Sequence, residues 1–368
     1  MNFGPVQSLL RPACAIIARV IEGLLIYGAS GYSGQLIAAA ARAAGVRPIM
    51  CGRNAGKLRP LARELDLPMR VARLAPDELD AALFGVATVL NAAGPFADTA
   101  PHLIEACLRA GCHYLDISGE VEALELAAAR GARARRRGVM LMPGVGFDVV
   151  PSDCLAVHVA QRALRPRHLR IGIAGLSLLS RGSALTLVDQ MSKPAAVVRR
   201  GELRAIAPGS LHWNFDFGAG PRPSFAVRWG DLVSARFSTA LPDITTYFEA
   251  TPAVRTHHAL LRAFGWAIPQ TGWQQWLRAG TAWLPPGPSA LERARHAATI
   301  VAEVEDASGA FVRARLRTPE AYTTTVHSAL AISRRVLAGD WQAGFETPAR
   351  VYGADFVLQL PGVSREDF

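Results

Sequence analysis

From Leu24 to about Gly146 the chain alternates short apolar runs with amphipathic segments, a rhythm that predicts a parallel sheet with helices on both faces. Strands are expected at Leu24–Tyr27, Pro48–Cys51, Met69–Ala72, Thr88–Asn91, Tyr114–Ile117 and Val139–Met142. Between them, Ser33–Ala44 closes at Gly45 and Pro101–Ala110 at Gly111, where glycine suits the left-handed end of a helix. Strands joined by helical crossovers make a Rossmann-type domain.

After Pro143-Gly144-Val145-Gly146 the rhythm changes. A helix over Ser152–Leu164 leads into strand-like stretches at Arg170–Leu178, Ser224–Trp229, Val233–Thr239 and Thr245–Thr251. Thr299–Glu305 and Phe311–Arg317 flank Asp306-Ala307-Ser308-Gly309 and read as a hairpin. Ala321–Ala338 has helical apolar spacing, and Thr347-Pro348 opens another helix with proline in its first turn. The expected chain is α/β: an extension over residues 1–21, a Rossmann-type parallel-sheet domain over 22–150, and an α+β substrate domain over 151–368. The second domain is expected on a largely antiparallel sheet, with its C-terminal helices free to pack back on the first.

The length of 368 residues suits two cores, and a hydrophobic share of 50% is enough to fill them. The net charge of +10 comes from arginines scattered along the chain, with Lys57 and Lys193 the only lysines. Scattered charge argues against a nucleic-acid surface, and the dense run Arg133–Arg137 falls at a helix end, where cations favour the dipole. The five cysteines, Cys14, Cys51, Cys107, Cys112 and Cys154, form no CxxC pair and no even framework. No histidine has ligand spacing with a carboxylate or thiolate, so no metal is expected. No run reaches the about eighteen apolar residues of a membrane span, and residues 1–19 lack a cleavage site. A reducing cytoplasm is the expected compartment, with peripheral membrane contact left open.

The most specific chemistry is Gly28-Ala-Ser-Gly31-Tyr-Ser-Gly34 between a strand and a helix, the setting in which backbone N–H groups hold a dinucleotide pyrophosphate. Gly28 permits the tight exit, Gly31 lets backbone approach phosphate, Gly34 lets the helix pack closely, and Ser30, Tyr32 and Ser33 can add hydroxyl donors. Cys51-Gly52-Arg53-Asn54 follows the second strand, and Arg53 stands where an acid would accept a ribose hydroxyl. A planar guanidinium there, with Asn54 and Lys57 nearby, suits a 2′-phosphate and selects NADP(H) over NAD. Asn91-Ala92-Ala93-Gly94-Pro95 closes the fourth strand, and Asn91, Ala93, Gly94 and Pro95 are expected beside the nicotinamide.

These segments, with Gly111–Glu120, Gly144–Asp153, Pro286–Ser289, Val301–Asp306 and Thr347–Ala349, resemble the saccharopine dehydrogenase-like NADP-binding oxidoreductases, and within them the trans-acting enoyl reductase branch. The resemblance implies reduction of a carbon–carbon double bond in a polyketide, fatty-acyl or other lipid-like chain. It also implies a partner synthase or acyl carrier protein. Two alternatives stay open: a saccharopine-type C–N dehydrogenase, and a non-catalytic, membrane-associated nucleotide-binding protein.

Enoyl reduction requires a proton donor and an oxyanion stabiliser near the nicotinamide. Tyr114 and Asp116 share a strand face and Asp148 follows the sixth strand; these three are the catalytic candidates. Glu120 lies just beyond the fifth strand, Ser152 reads as a helix N-cap, and Arg181-Gly182-Ser183 reads as a turn into a helix. His257-His258 reads as a surface pair. Trp266, Trp273, Trp276 and Trp283 cluster between Leu260 and Leu284, a stretch suited to core packing, an apolar tunnel, a membrane surface or a homodimer contact.

Overall fold

The computed structural model describes residues 22–368 apart from 177, 179, 192, 252–279, 282 and 284. The extension over 1–21, Cys14, His257-His258 and Trp266, Trp273 and Trp276 lie outside the described residues.

The first sheet is formed by β1 (Glu22–Tyr27), β2 (Ile49–Gly52), β3 (Met69–Val71), β4 (Val86–Asn91), β5 (His113–Asp116) and β6 (Met140–Met142). The intervening helices are α1 (Tyr32–Ala43), α2 (Ala55–Glu64), α3 (Pro76–Ala82), α4 (Phe96–Ala110) and α5 (Val121–Arg137). Strand order is β6-β5-β4-β1-β2-β3, parallel throughout. Strand periodicity sorts the side chains into two cores: Leu24, Ile26 and Leu90 face one side, Leu25, Tyr27 and Val89 the other. Each Leu or Ile buried this way stabilises the fold by about 1.5–3 kcal/mol.

Helix α4 begins five residues before the expected start at Pro101. Phe96 and Ala97 donate their backbone N–H groups to Glu120 Oε1 and Oε2, both at 2.8 Å. This remote carboxylate caps the first turn, so the helix starts behind Pro95 and carries Pro101 inside it.

Beyond α6 (Val150–Arg162) the chain builds a mixed sheet from β7 (Pro166–Ala174), β8 (Ala195–Arg199), β9 (Glu202–Ile206), β10 (His212–Asp216), β11 (Pro221–Val227), β12 (Asp243–Glu249), β13 (Ala297–Asp306) and β14 (Phe311–Pro319). Helices α7 (Arg181–Met191), α8 (Asp231–Thr239), α9 (Ala290–Arg295) and α10 (Ala321–Leu337) are inserted along it. The neighbours are antiparallel except β12 with β7, and β13 and β14 form the expected hairpin. The strand expected at Val233–Thr239 is instead helix α8. Its Val, Phe and Thr alternate at period two, but Leu232, Val233 and Ala235 are buried in the helix, which packs on α6. Strands β8 to β10 are not among the strands expected from the hydrophobic pattern. The β10–β11 hairpin folds over the outer sheet face, where the Phe215 ring occupies the space a side chain on Gly172 would need.

The C-terminal segment crosses the boundary expected at residue 150. Helix α10 lies against α1, β1 and β4, and Ser328 Oγ donates to the Val145 carbonyl at 2.8 Å. Then β15 (Gly344–Phe345) pairs in parallel with β6, extending the first sheet, and α11 (Pro348–Tyr352) starts from Thr347, whose Oγ1 accepts from the Arg350 N–H. Strand β16 (Ser364–Asp367) finishes the second sheet beside β14.

Candidate functional site: a nucleotide cradle at the domain junction

The cradle starts where β1 ends. Gly28 takes φ +82° and lies so close to the exit of β4 that a Cβ on it would sit 2.7 Å from the Ala93 Cβ. A Cβ on Gly34 would sit 2.4 Å from the Gly28 carbonyl oxygen, so only glycine lets α1 pack this near the turn. Gly31 caps α1 with no side-chain bond and the first turn holds no acid. The backbone N–H groups of Tyr32, Ser33 and Gly34 have no acceptor among the described residues, nor do the Ser30 and Ser33 hydroxyls. Unspent donors at a positive helix end fit a pyrophosphate.

Arg53 and Lys57 are exposed at the end of β2 and make no ion pair among the described residues. Asn54 is the N-cap of α2, its Oδ1 accepting from the Lys57 N–H at 3.1 Å, which leaves its amide NH2 group outward. The first turn of α2 contains no acid, so the place of a ribose hydroxyl acceptor is cationic. The residues present fit a 2′-phosphorylated dinucleotide.

The loop after β4 is shaped by a buried network. Asn91 is fully buried; its Nδ2 donates to Thr99 Oγ1 (2.9 Å) and to the Tyr114 hydroxyl oxygen (3.2 Å), and its Oδ1 accepts from the Ala93 N–H (3.0 Å). Tyr114 in turn donates to Asp116 Oδ2 at 2.8 Å, while Asp116 Oδ1 accepts from the N–H groups of Ser118 and Gly144, both at 2.9 Å. Burial raises the Asp116 carboxyl to about 6 and pushes the Tyr114 phenol well up. A proton donor must come within hydrogen-bond reach of its substrate. Tyr114 and Asp116 are both 0% exposed, so the pair expected to supply the proton ties β5 to the turn after β6 instead. The Asn91 side chain likewise builds the loop, leaving Ala93, Gly94 and Pro95 as its accessible part.

Asp148 differs from these acids. It follows the Gly144–Phe147 turn, which Thr325 Oγ1 fixes by accepting the Phe147 N–H at 3.0 Å, and Trp229 Nε1 donates to its backbone carbonyl at 3.1 Å. Its carboxylate has no hydrogen-bond partner among the described residues and is partly exposed. Burial, reinforced by the charge of Glu120, raises it to about 7. Glu120 itself is the carboxylate that caps α4.

The second domain supplies the facing wall. The Tyr322 ring meets the Tyr32 ring edge-on at 5.0 Å, its hydroxyl accepts from the Ser180 N–H at 2.6 Å, and it donates to Ser183 Oγ at 2.7 Å. Thr186 of α7 approaches Gly94. Tyr32 does not aim its hydroxyl at the phosphate site as expected: it donates to the Pro288 carbonyl at 2.5 Å and accepts from Arg293 Nη1 at 2.6 Å. The Ser289…Glu292 capping box was the sequence signal for this docking segment; nothing local marked Tyr322. A separate cleft of about 320 Å³ between α3, α4 and α5 is lined by Glu105, Arg109 and Arg130, which are already paired with Arg130 and Arg133, Asp80, and Glu105 respectively.

Residues 24–142 match the family model "Saccharopine dehydrogenase NADP binding domain". A trans-acting enoyl reductase of Mycobacterium leprae is 32% identical over 160 residues, 39% of this chain and 37% of its own length. The human saccharopine dehydrogenase-like oxidoreductase is 27% identical over 160 residues, 38% of this chain and 37% of its own length. The chain thus matches little more than a third of the length of these relatives. In fold it is similar to the L-Glu-forming saccharopine dehydrogenase of Saccharomyces cerevisiae, with TM-score 0.63 at 13% identity over 94% of this chain and 100% of that one. No helix among the described residues is long and apolar enough to cross a membrane. Residues 24–142, which carry the glycine cradle and the cationic end of β2, are thus similar to the NADP-binding domain of saccharopine dehydrogenases.

Proposed function

We propose that the chain is an NADPH-dependent reductase of an activated carbon–carbon double bond in an apolar acyl or polyketide-like substrate, with Asp148 as the proton donor. The observation that carries this reading is Asp148 itself: a partly exposed, unpaired carboxyl raised to about 7, beside the Glu120 carboxylate that anchors the Gly94 loop.

When bound, NADPH supplies the hydride that adds to the β-carbon; the chain must supply a proton for the α-carbon and a hydrogen bond to the carbonyl oxygen. A carboxyl titrating near 7 is divided between its two forms at neutral pH, which matches general-acid duty and reprotonation from solvent. Ser183 Oγ already accepts the Tyr322 proton, so its own proton is directed elsewhere, toward the carbonyl oxygen in this reading. The relatives named trans-acting enoyl reductase in Mycobacterium leprae and Mycobacterium ulcerans support the choice of an enoyl double bond as the group reduced.

The test is NADPH oxidation with a trans-2-enoyl thioester, with saccharopine, and with no addition. Turnover of the thioester alone is expected. Turnover of saccharopine alone would transfer the chain to C–N chemistry, and tight NADPH binding without turnover on any compound would make it a binding protein.

A further inference from the structure

Arg293 belongs to the second domain yet reaches the first residue of α1. Its Nη1 donates to the Tyr32 hydroxyl at 2.6 Å and to the Pro288 carbonyl at 3.0 Å. The Tyr32 ring lies against the chain at Gly287, where a Cβ would be 2.5 Å from it, and against Tyr322. One edge of the guanidinium is thus held at the start of α1, against a Tyr32 ring that is itself packed on both sides.

Its charge is not spent there. Arg293 makes no ion pair among the described residues, Nε and Nη2 have no acceptor, and the nearest carboxylate on its own helix, Glu292, is committed to the Ser289 cap. Glu320, on the facing segment, interacts with it only at a distance and accepts from the N–H groups of Tyr322 and Thr323. A half-buried guanidinium held by neutral acceptors, with a free edge and no carboxylate within ion-pair distance among the described residues, is arranged for an anion that arrives from outside. Helical side chains tilt toward the helix N-terminus, so Tyr32 carries this cation to the end of α1 where the unspent N–H groups lie.

We propose that Arg293 is a phosphate ligand of the bound dinucleotide, supplied by the second domain, so that the cofactor is held by both domains at once. The inference rests on the NADP(H) site described above.

The test measures dissociation constants of NADPH and NADH, by quenching of protein fluorescence, for the wild type and for R293A, R293K, Y32F and R53A. R293A is expected to weaken NADPH about tenfold, the scale of one charge-assisted contact. R293K is expected to recover part of the loss, and Y32F, which keeps the cation and its Pro288 contact but removes the Tyr32 anchor, to lose clearly less than R293A. Equal losses for NADPH and NADH assign the pyrophosphate; loss confined to NADPH assigns the 2′-phosphate. Unchanged binding in R293A overturns the proposal, as does a loss in Y32F as large as in R293A, which would make the contact a domain latch only. If the wild type binds neither dinucleotide, the underlying site reading falls and takes the proposal with it. R53A separates the two, because it removes NADPH preference whether or not Arg293 participates.

Discussion

Asp148 owes its proton affinity to position. The turn that carries it is pinned through its backbone by Thr325 and Trp229, which holds the carboxyl where burial disfavours its charge, and Glu120 adds a like charge. A raised pKa means the folded chain holds this proton between 3.8 and about 7 while the unfolded chain releases it. The resulting penalty grows across that window as pH rises and is complete above it. D148N is therefore expected to raise Tm, by an amount that increases from acidic buffer to above pH 7; a pH-independent change would contradict the burial argument. E120Q removes the neighbouring charge, so the Asp148 titration, followed in the pH–rate profile, is expected to move to lower pH. The same substitution weakens a cap of two hydrogen bonds, at a cost of about 1–2 kcal/mol in urea denaturation. The sequence placed Asp148 among the candidates from its glycine-flanked turn, but Tyr114 and Asp116 looked equally apt, because periodicity reports a shared face and says nothing of whether that face is open.

At the scale of elements, the glycine turn and α1 form one rigid piece. G34A would drive a methyl group into the Gly28 carbonyl oxygen, and the helix must lift from the strand exit. Such overpacking costs about 1–3 kcal/mol. NADPH affinity is expected to fall in the same variant, because the N–H groups of α1 move with the helix; unchanged affinity beside lowered stability would separate cradle from packing. The six strands of the first sheet were legible because parallel strands are continuous apolar runs with glycine punctuation. Helix α8 was not, since Val233, Phe237 and Thr239 favour strands locally and only packing on α6 makes them helical. The early start of α4 was hidden too, because its cap comes from Glu120, distant in sequence.

For the whole molecule, the C-terminal segment of the second domain packs back on the first sheet. Helix α10 lies on β1 and β4, and β15 extends the first sheet, with Gly131 of α5 so close to Phe345 that a Cβ would stand 2.9 Å from its Cβ. The two sheets share these elements, so thermal unfolding is expected as one transition, coincident by tryptophan fluorescence and far-UV circular dichroism. Separated transitions would show that the C-terminal segment does not couple them. That coupling brings Thr186 of α7 to the Gly94 loop and the Tyr322 ring to Tyr32, juxtapositions no local pattern contained, which is why the cofactor end of the site was readable and the wall facing it was not. The most direct test of the central claim is the pH dependence of kcat for NADPH oxidation with an enoyl thioester, in the wild type and D148N. The wild-type rate is predicted to fall as pH rises through about 7, and D148N to lose about 100-fold in kcat together with that limb while keeping its NADPH affinity. A D148N profile that retains both the wild-type rate and the limb would contradict the assignment of Asp148 as the proton donor.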